Sequence, residues 1–214
     1  MLAIDVGNTH IKYAFFEGEK IKEIDRVPTA QCIQDATFFG SLSLSLLEDR
    51  VSKEIAISSV RKDITEIITN ECAMQFHVTP FVVDVHVDMG IVDLYKTKET
   101  LGTDRVVNAA AAYHLYSKGR CPLIVVDMGT ATTIDYVTQA GEFLGGAIAP
   151  GLISAYRGLI SMAPELPLVE ISAEQDIIGE TTIGFMTEIC TTKLAAMIKE
   201  MAAMMAREKG TDPV

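Results

Sequence analysis

Val125-Val-Asp-Met-Gly-Thr-Ala-Thr-Thr-Ile-Asp-Tyr136 decides the fold of this chain. An apolar run from Leu123 reads as a buried strand that ends in an acid, Asp127. Gly129-Thr130 then makes a tight turn. Beyond it Thr132, Ile134 and Tyr136 alternate with Thr133, Asp135 and Val137, the pattern of a second, half-exposed strand. A carboxylate at the end of a buried strand is costly unless it meets a cation or hydrogen-bond donors. The glycine lets backbone N–H groups come close to a ligand, and the threonines add hydroxyls. Such a turn suits phosphate, with a carboxylate nearby to hold a cation.

The N-terminus carries the same device. Leu2-Ala3-Ile4 leads into Asp5-Val6-Gly7-Asn8-Thr9, and Ile11 to Phe16 follows as a strand. One Asp-x-Gly turn is an ordinary hairpin feature, but two with matching flanks indicate an internal duplication. Two phosphate-binding hairpins facing each other across a cleft is the arrangement of the acetate and sugar kinase, heat-shock ATPase and actin superfamily. The chain resembles that group at both turns. The resemblance implies an α/β fold of duplicated ribonuclease H-like (actin-like ATPase) domains, each a mixed sheet with helices. The boundary is expected in the helix before Leu123, giving domains at 1–115 and 116–214.

Composition narrows the function classes. The 214 residues carry a net charge of −11 and are 49% hydrophobic. That content suffices for a core, and the acidic balance argues against a nucleic-acid binder, which needs a basic face. No uninterrupted apolar stretch reaches the roughly 18 residues of a membrane span. The first apolar residues lead straight into Asp5 without a signal-peptide pattern, so a cytoplasmic protein with no membrane partner is expected. Cys32, Cys72, Cys121 and Cys190 are far apart, as are His10, His77, His86 and His114. They read as buried or free thiols and scattered imidazoles, with no zinc or disulfide pattern.

In chain order, Leu2 to Ile24 reads as a three-stranded meander. Lys12 lies just past the Asp5 turn and reads either as a phosphate ligand or as a solvated strand lysine. Thr29 to Arg50 is expected to be helical with a break near Phe39-Gly40, and Glu54 to Val60 a strand. Asp63 is the expected N-cap of a helix through Cys72. Phe81 to Val87 reads as a strand and Val87 to Leu101 as a loop. Gly102-Thr-Asp-Arg105 then opens an alanine-rich helix from Val106. Backbone donors and the helix dipole favour an anion there; the alternative is a simple Asp104 cap beside a surface Arg105. Gly145, Gly146 and Gly151 imply close backbone approach, to a ligand or in strand–helix packing. A helix is expected over Ile153–Ala163, and a last helix from about Thr182 to Lys209. The last one carries a methionine-rich stripe suited to core or subunit interface.

Taken together, five motifs go beyond the superfamily: Asp5-x-Gly-Asn-Thr-x-x-Lys12, Gly102-x-Asp-Arg105, Asp127-x-Gly-Thr-Ala-Thr-Thr-x-Asp135, Gly145-Gly-x-Ile-x-Pro-Gly151 and Gly179-x-x-Thr182 after a Leu-Pro. In this order and spacing they resemble the type III pantothenate kinases, also described as Bvg accessory factor-like. The resemblance implies phosphorylation of pantothenate by ATP, the first committed step of coenzyme A synthesis. It also implies a homodimer that needs Mg²⁺ and a monovalent cation, K⁺ or NH₄⁺. By position, Asp5, Gly7, Asn8, Thr9 and Lys12 would hold ATP phosphates, with Asp5 near Mg²⁺. Gly129 and Thr130 would be further ATP contacts and Asp127 the cation ligand. Tyr95, Gly102, Thr103, Asp104, Arg105 and Thr182 would bind pantothenate, with Asp104 as general base.

Longer family members continue past the last helix into a strand, a Thr-Gly-Gly turn and more helix, whereas this sequence stops at Thr211-Asp-Pro-Val. The expectation is loose ATP binding or relaxed nucleotide choice, which a nucleotide panel in a kinase assay tests. The competing reading is a non-catalytic, nucleotide-binding regulator of the accessory-factor type. Intact acids at Asp5, Asp104 and Asp127 argue against it.

Overall fold

The computed structural model describes residues 1–41, 54–169, 178 and 180–211. It is an α/β protein with two mixed sheets, as the duplicated turns imply. Its contacts divide it into two units, Met1–Met89 with Lys96–Asn108, and Gly90–Tyr95 with Ala109–Val214.

The first unit holds the meander β1 (Leu2–Val6), β2 (His10–Glu17) and β3 (Lys20–Pro28). Strands β4 (Ile55–Ser59) and β5 (Phe81–Val82) complete a sheet of order β3-β2-β1-β4-β5, with β4 parallel to β1. Alternation decides its faces. Leu2, Ile4, Val6, Ile11, Tyr13, Phe15, Ile55 and Ile57 are buried with Phe38, Phe39, Ile64 and Ile68 in one core. The residues between them include the row Lys12–Asp5–Ser58 across three strands.

Helix α1 (Thr29–Asp35) ends at Ala36, whose φ of 50° is left-handed, and a 3₁₀ turn follows at Phe39–Ser41. Helix was expected to Arg50, but the part from residue 42 lies outside the described residues. Helix α2 (Lys62–Glu71) begins one residue before Asp63, so Asp63 is not its cap. Its carboxylate takes the Arg61 guanidinium instead, at 2.9 and 2.6 Å. That ion pair holds the Asp63 carboxyl below its ordinary range. Strand β5 stops at Val82, well short of Val87. Asp84 accepts the His86 N–H at 2.7 Å, and this side-chain turn ends the strand.

The second unit repeats the meander as β7 (Leu123–Met128), β8 (Ala131–Val137) and β9 (Glu142–Pro150). The segment expected as pure loop contributes β6 (Val92–Asp93), parallel to β9, for an order of β6-β9-β8-β7. Helix α3 (Thr103–Ala112) contains the division between units, and its Ala109 and Ala110 are buried. Helices α4 (Leu152–Met162) and α5 (Thr182–Glu208) both pack on β8. Along the methionine stripe Met186 is buried and Met204 exposed; the side chains of Phe185 and Ile189 lie outside the described set.

Cys32 and Cys72 are fully buried in the first core. Burial, with the Glu71 carboxylate second, pushes each thiol up to about 11. Both are free thiols, as is Cys121. No helix among the described residues is long and apolar enough to cross a membrane.

Candidate active site

The two acid–glycine turns are built alike but are not identical. In the first, the Gly7 N–H donates to the His10 carbonyl at 3.0 Å. In the second, the Gly129 N–H donates to the Ala131 carbonyl at 2.9 Å, closing a turn one residue shorter. Both glycine amides therefore hold their own turns shut. Asn8 and Thr9 follow the first glycine and Thr130 the second. These side chains are exposed.

Each turn is pinned from behind by a helix that sequence reasoning did not connect to it. The Thr29 hydroxyl, at the start of α1 and only 1% exposed, donates to the Gly7 carbonyl at 2.9 Å. The Thr29 N–H donates to the Thr9 carbonyl at 3.0 Å. In the second unit the Ser154 hydroxyl, in the first turn of α4, donates to the Thr130 carbonyl at 2.6 Å. The Gly151 N–H adds a bond to the same carbonyl at 3.0 Å. The duplication thus extends to the hydroxyls that brace the turns. An i-to-i+22 contact leaves no local signal in a sequence.

This bracing carries a prediction. Thr29→Val keeps the shape of the side chain and removes the hydroxyl, at a net cost of about 1 kcal/mol. On the expectation that the Gly7 turn holds nucleotide phosphates, losing the bond that orders it should lower nucleotide affinity roughly fivefold and leave the KM of the second substrate unchanged. Calorimetric titration with ATP measures this, and an unchanged ATP Kd contradicts it.

Asp5 is half-exposed and pairs with the Lys12 ammonium at 3.7 Å. Ser58 is its partner across β1 and β4, and the Ser58 Oγ is buried without a hydrogen-bond partner among the described residues. A buried orphan hydroxyl in a row with a carboxylate and an ammonium fits a phosphate or the water shell of a metal. Among the described residues no group of three or more His, Cys, Asp or Glu side chains comes together. The Asp5 carboxylate beside the Ser58 hydroxyl is a donor pair that Mg²⁺ could accept, since that ion keeps several waters and takes one or two carboxylates plus substrate phosphates.

At the end of β4 the chain meets the start of α3. The Val60 N–H donates to the Val6 carbonyl at 3.1 Å, and the Thr103 hydroxyl donates to the Ser59 carbonyl at 3.0 Å. Gly102 through Arg105 are thereby fixed at the edge where β1 also ends. The Asp104 carboxylate lies over Gly102, where a Cβ would collide with its Oδ1, and accepts the Arg105 N–H at 2.9 Å. Arg105 is 7% exposed, so it is not the surface residue of the alternative reading.

In the second unit Asp127 is partly buried, opposite Thr133. Gly151 is packed so tightly on the turn that a Cβ there would overlap the Gly129 carbonyl. The Tyr95 ring lies beside Gly145 and meets Phe143 at 6.4 Å between centroids. Thr182 opens α5 with its side chain exposed. Gly179 lies outside the described residues.

Most of the chain is similar to known proteins. Residues 1–204 match the sequence profile of type III pantothenate kinase. The type III pantothenate kinase of Pelobacter propionicus is 38% identical over 87% of this chain and 74% of its own. That of Syntrophus aciditrophicus is 33% identical over 100% of this chain and 85% of its own.

This chain belongs to the type III pantothenate kinase family.

A Baf family protein from Campylobacter jejuni, known from its crystal structure, shares the fold. It has a TM-score of 0.59 at 19% identity, over 94% of this chain and 79% of that one. Of the five motifs read from the sequence, four fall on the two acid–glycine turns, the start of α3 and the end of β9; of the fifth, Thr182 opens α5 and Gly179 lies outside the described residues.

Proposed function

We infer that this protein transfers the γ-phosphoryl group of ATP to the primary hydroxyl of pantothenate, giving 4'-phosphopantothenate and ADP. Family membership supports the reaction. The observation that carries the residue roles is the junction of β1, β4 and α3. One edge of one unit presents the Asp5–Lys12–Ser58 row and, through Thr103 on Ser59, the Gly102–Arg105 segment.

Phosphoryl transfer asks a protein mainly for positioning and charge stabilisation. Asp5, Gly7, Asn8, Thr9 and Lys12 hold the ATP phosphates in this reading, and Gly129 and Thr130 are further nucleotide contacts. Asp5 would hold Mg²⁺, which would supply positive charge against the phosphates, and Asp127 would hold the monovalent cation, K⁺ or NH₄⁺. Tyr95, Gly102, Thr103, Arg105 and Thr182 bind pantothenate, with the Arg105 guanidinium paired to its carboxylate. As the substrate oxygen bonds to the γ-phosphorus and the bond to the ADP oxygen breaks, Asp104 accepts the hydroxyl proton.

The same reading makes the protein a cytoplasmic homodimer with no nucleic-acid or membrane partner. Domains of 1–115 and 116–214 remain its proposed organisation. Mass spectrometry of pantothenate incubated with enzyme, ATP and Mg²⁺ tests the reaction. A phosphate ester on the primary hydroxyl supports it, and unmodified pantothenate rejects it.

A further inference from the structure

Gly145 and Gly146 are adjacent in β9, and the structure requires each to be glycine for a different reason. At Gly146 a Cβ would overlap the Ile134 carbonyl of the neighbouring strand, so this glycine serves sheet packing. At Gly145 no backbone is in the way. A Cβ there would stand 2.8 and 2.9 Å from Cδ2 and Cε2 of the Tyr95 ring. The pairing of β8 with β9 shifts register beside it: Tyr136 opposes Gly145 while Val137 opposes Phe143. That β-bulge carries Gly145 at a φ of 91°, in the region that favours glycine. Bulges of this kind bend a strand and re-aim what lies against it.

Three further contacts fix what lies against it. The Leu94 N–H donates to the Phe143 carbonyl at 3.0 Å, tying the segment before Tyr95 along β9. The Asp93 carboxylate accepts the Tyr95 N–H at 2.8 Å. The fully buried Phe143 ring meets the Tyr95 ring at an angle of 48°. The Tyr95 ring is thus placed by its own backbone, by the Phe143 ring and by the space that Gly145 leaves without a side chain.

We propose that Gly145 is a positioning residue for Tyr95: the bulge and the missing side chain form the seat of the phenol ring, and this seat sets pantothenate affinity. The inference rests on the reading of Tyr95 as a pantothenate-binding residue. Gly145 touches no substrate and acts through the ring alone.

A double-mutant cycle on the full chain tests it. Gly145→Ala should raise the pantothenate KM by at least about tenfold, since a methyl 2.8 Å from the Tyr95 ring must push the ring from its seat. The kcat and the ATP KM should stay within about twofold. Tyr95→Ala should raise the pantothenate KM as well. Adding Gly145→Ala to Tyr95→Ala should change it no further, because residues acting through one contact do not add. Equal, additive effects in both backgrounds overturn the proposal, as does Tyr95→Ala raising KM while Gly145→Ala does not. If Tyr95→Ala leaves pantothenate KM and calorimetric affinity unchanged, the assignment of Tyr95 itself fails and the proposal falls with it. Should Gly145→Ala lose its thermal unfolding transition, Phe143→Leu takes its place in the same cycle. It removes the ring that packs against Tyr95, and the same non-additive rise in KM is required.

Discussion

Asp104→Asn should abolish turnover while leaving the protein folded and pantothenate bound. The substitution preserves shape. The Asp104 Oδ1 accepts the Arg105 N–H at 2.9 Å, and an asparagine Oδ1 accepts it equally, so the start of α3 survives. Thr103 still bonds the Ser59 carbonyl and holds the segment in place. What is lost is the ability to take a proton. General-base catalysis contributes about 10²–10⁴ in rate, and kcat should fall by that factor. Pantothenate affinity by calorimetry should stay within about threefold. A variant with near wild-type kcat removes Asp104 from the role of base. A variant that loses pantothenate binding as completely as turnover makes Asp104 a binding residue.

Gly151→Ala should damage the second acid–glycine turn directly. The backbone conformation is no obstacle, since φ is −66° and ψ 164°. The obstacle is space. The added carbon overlaps the Gly129 carbonyl and comes within 2.8 Å of the Thr130 carbonyl, both backbone atoms of the acid–glycine turn. Neither can move without opening the turn or breaking the Gly151 N–H bond to Thr130. Overpacking of this kind costs about 1–3 kcal/mol. For a chain of this length that lowers the Tm by roughly 3–10 °C. In the proposed function the displaced atoms belong to a nucleotide-binding turn, so ATP affinity should fall more than about tenfold. Gly158→Ala in the same helix α4 is the contrast. Nothing lies within 4 Å of a Cβ there. Helix propensity alone should raise stability by about 0.5–1 kcal/mol. If Gly151→Ala matches Gly158→Ala in Tm and ATP affinity, the tight seat of the second turn is refuted.

The parts of the fold that were legible in the sequence are those with a local signature. Asp5-x-Gly7 and Asp127-x-Gly129 each follow a short apolar run, so strand, turn and strand could be read from about a dozen residues apiece. The burial was read the wrong way round in the second copy: β7 is only partly buried, with Val126 and Met128 exposed, and β8 is mostly buried beneath α4 and α5. Gly102-Thr-Asp-Arg105 was readable because a cap and an alanine-rich helix adjoin it. Strand β6 was not, since Val92–Asp93 is too short to carry a period and its partner, β9, lies far along the chain. The strand after Phe81 was read too long because Val83, Val85 and Val87 alternate, but the Asp84 side chain turns the backbone away. Asp63 looked like a cap, yet the adjacent Arg61 claims its carboxylate.

At the site the same division holds. Residues named by a motif could be listed in advance. The residues that support them could not, because their contacts cross the chain: Thr29 to Gly7, Ser154 to Thr130, Thr103 to Ser59 and the Tyr95 ring to Gly145. Ser58 falls in the same class. Its neighbour Ser59 spends its hydroxyl locally, on the Arg61 N–H and carbonyl, whereas Ser58 stands in the row with Asp5 and Lys12. Only the parallel pairing of β1 with β4 brings it there.

ADP release by the purified protein, followed in parallel with and without pantothenate at saturating ATP and Mg²⁺, addresses the central claim most directly. A kinase built as described releases ADP at a rate that rises with pantothenate, saturates, and disappears in Asp104→Asn. An identical rate with and without pantothenate, or no ADP from a folded protein that binds nucleotide, contradicts the account.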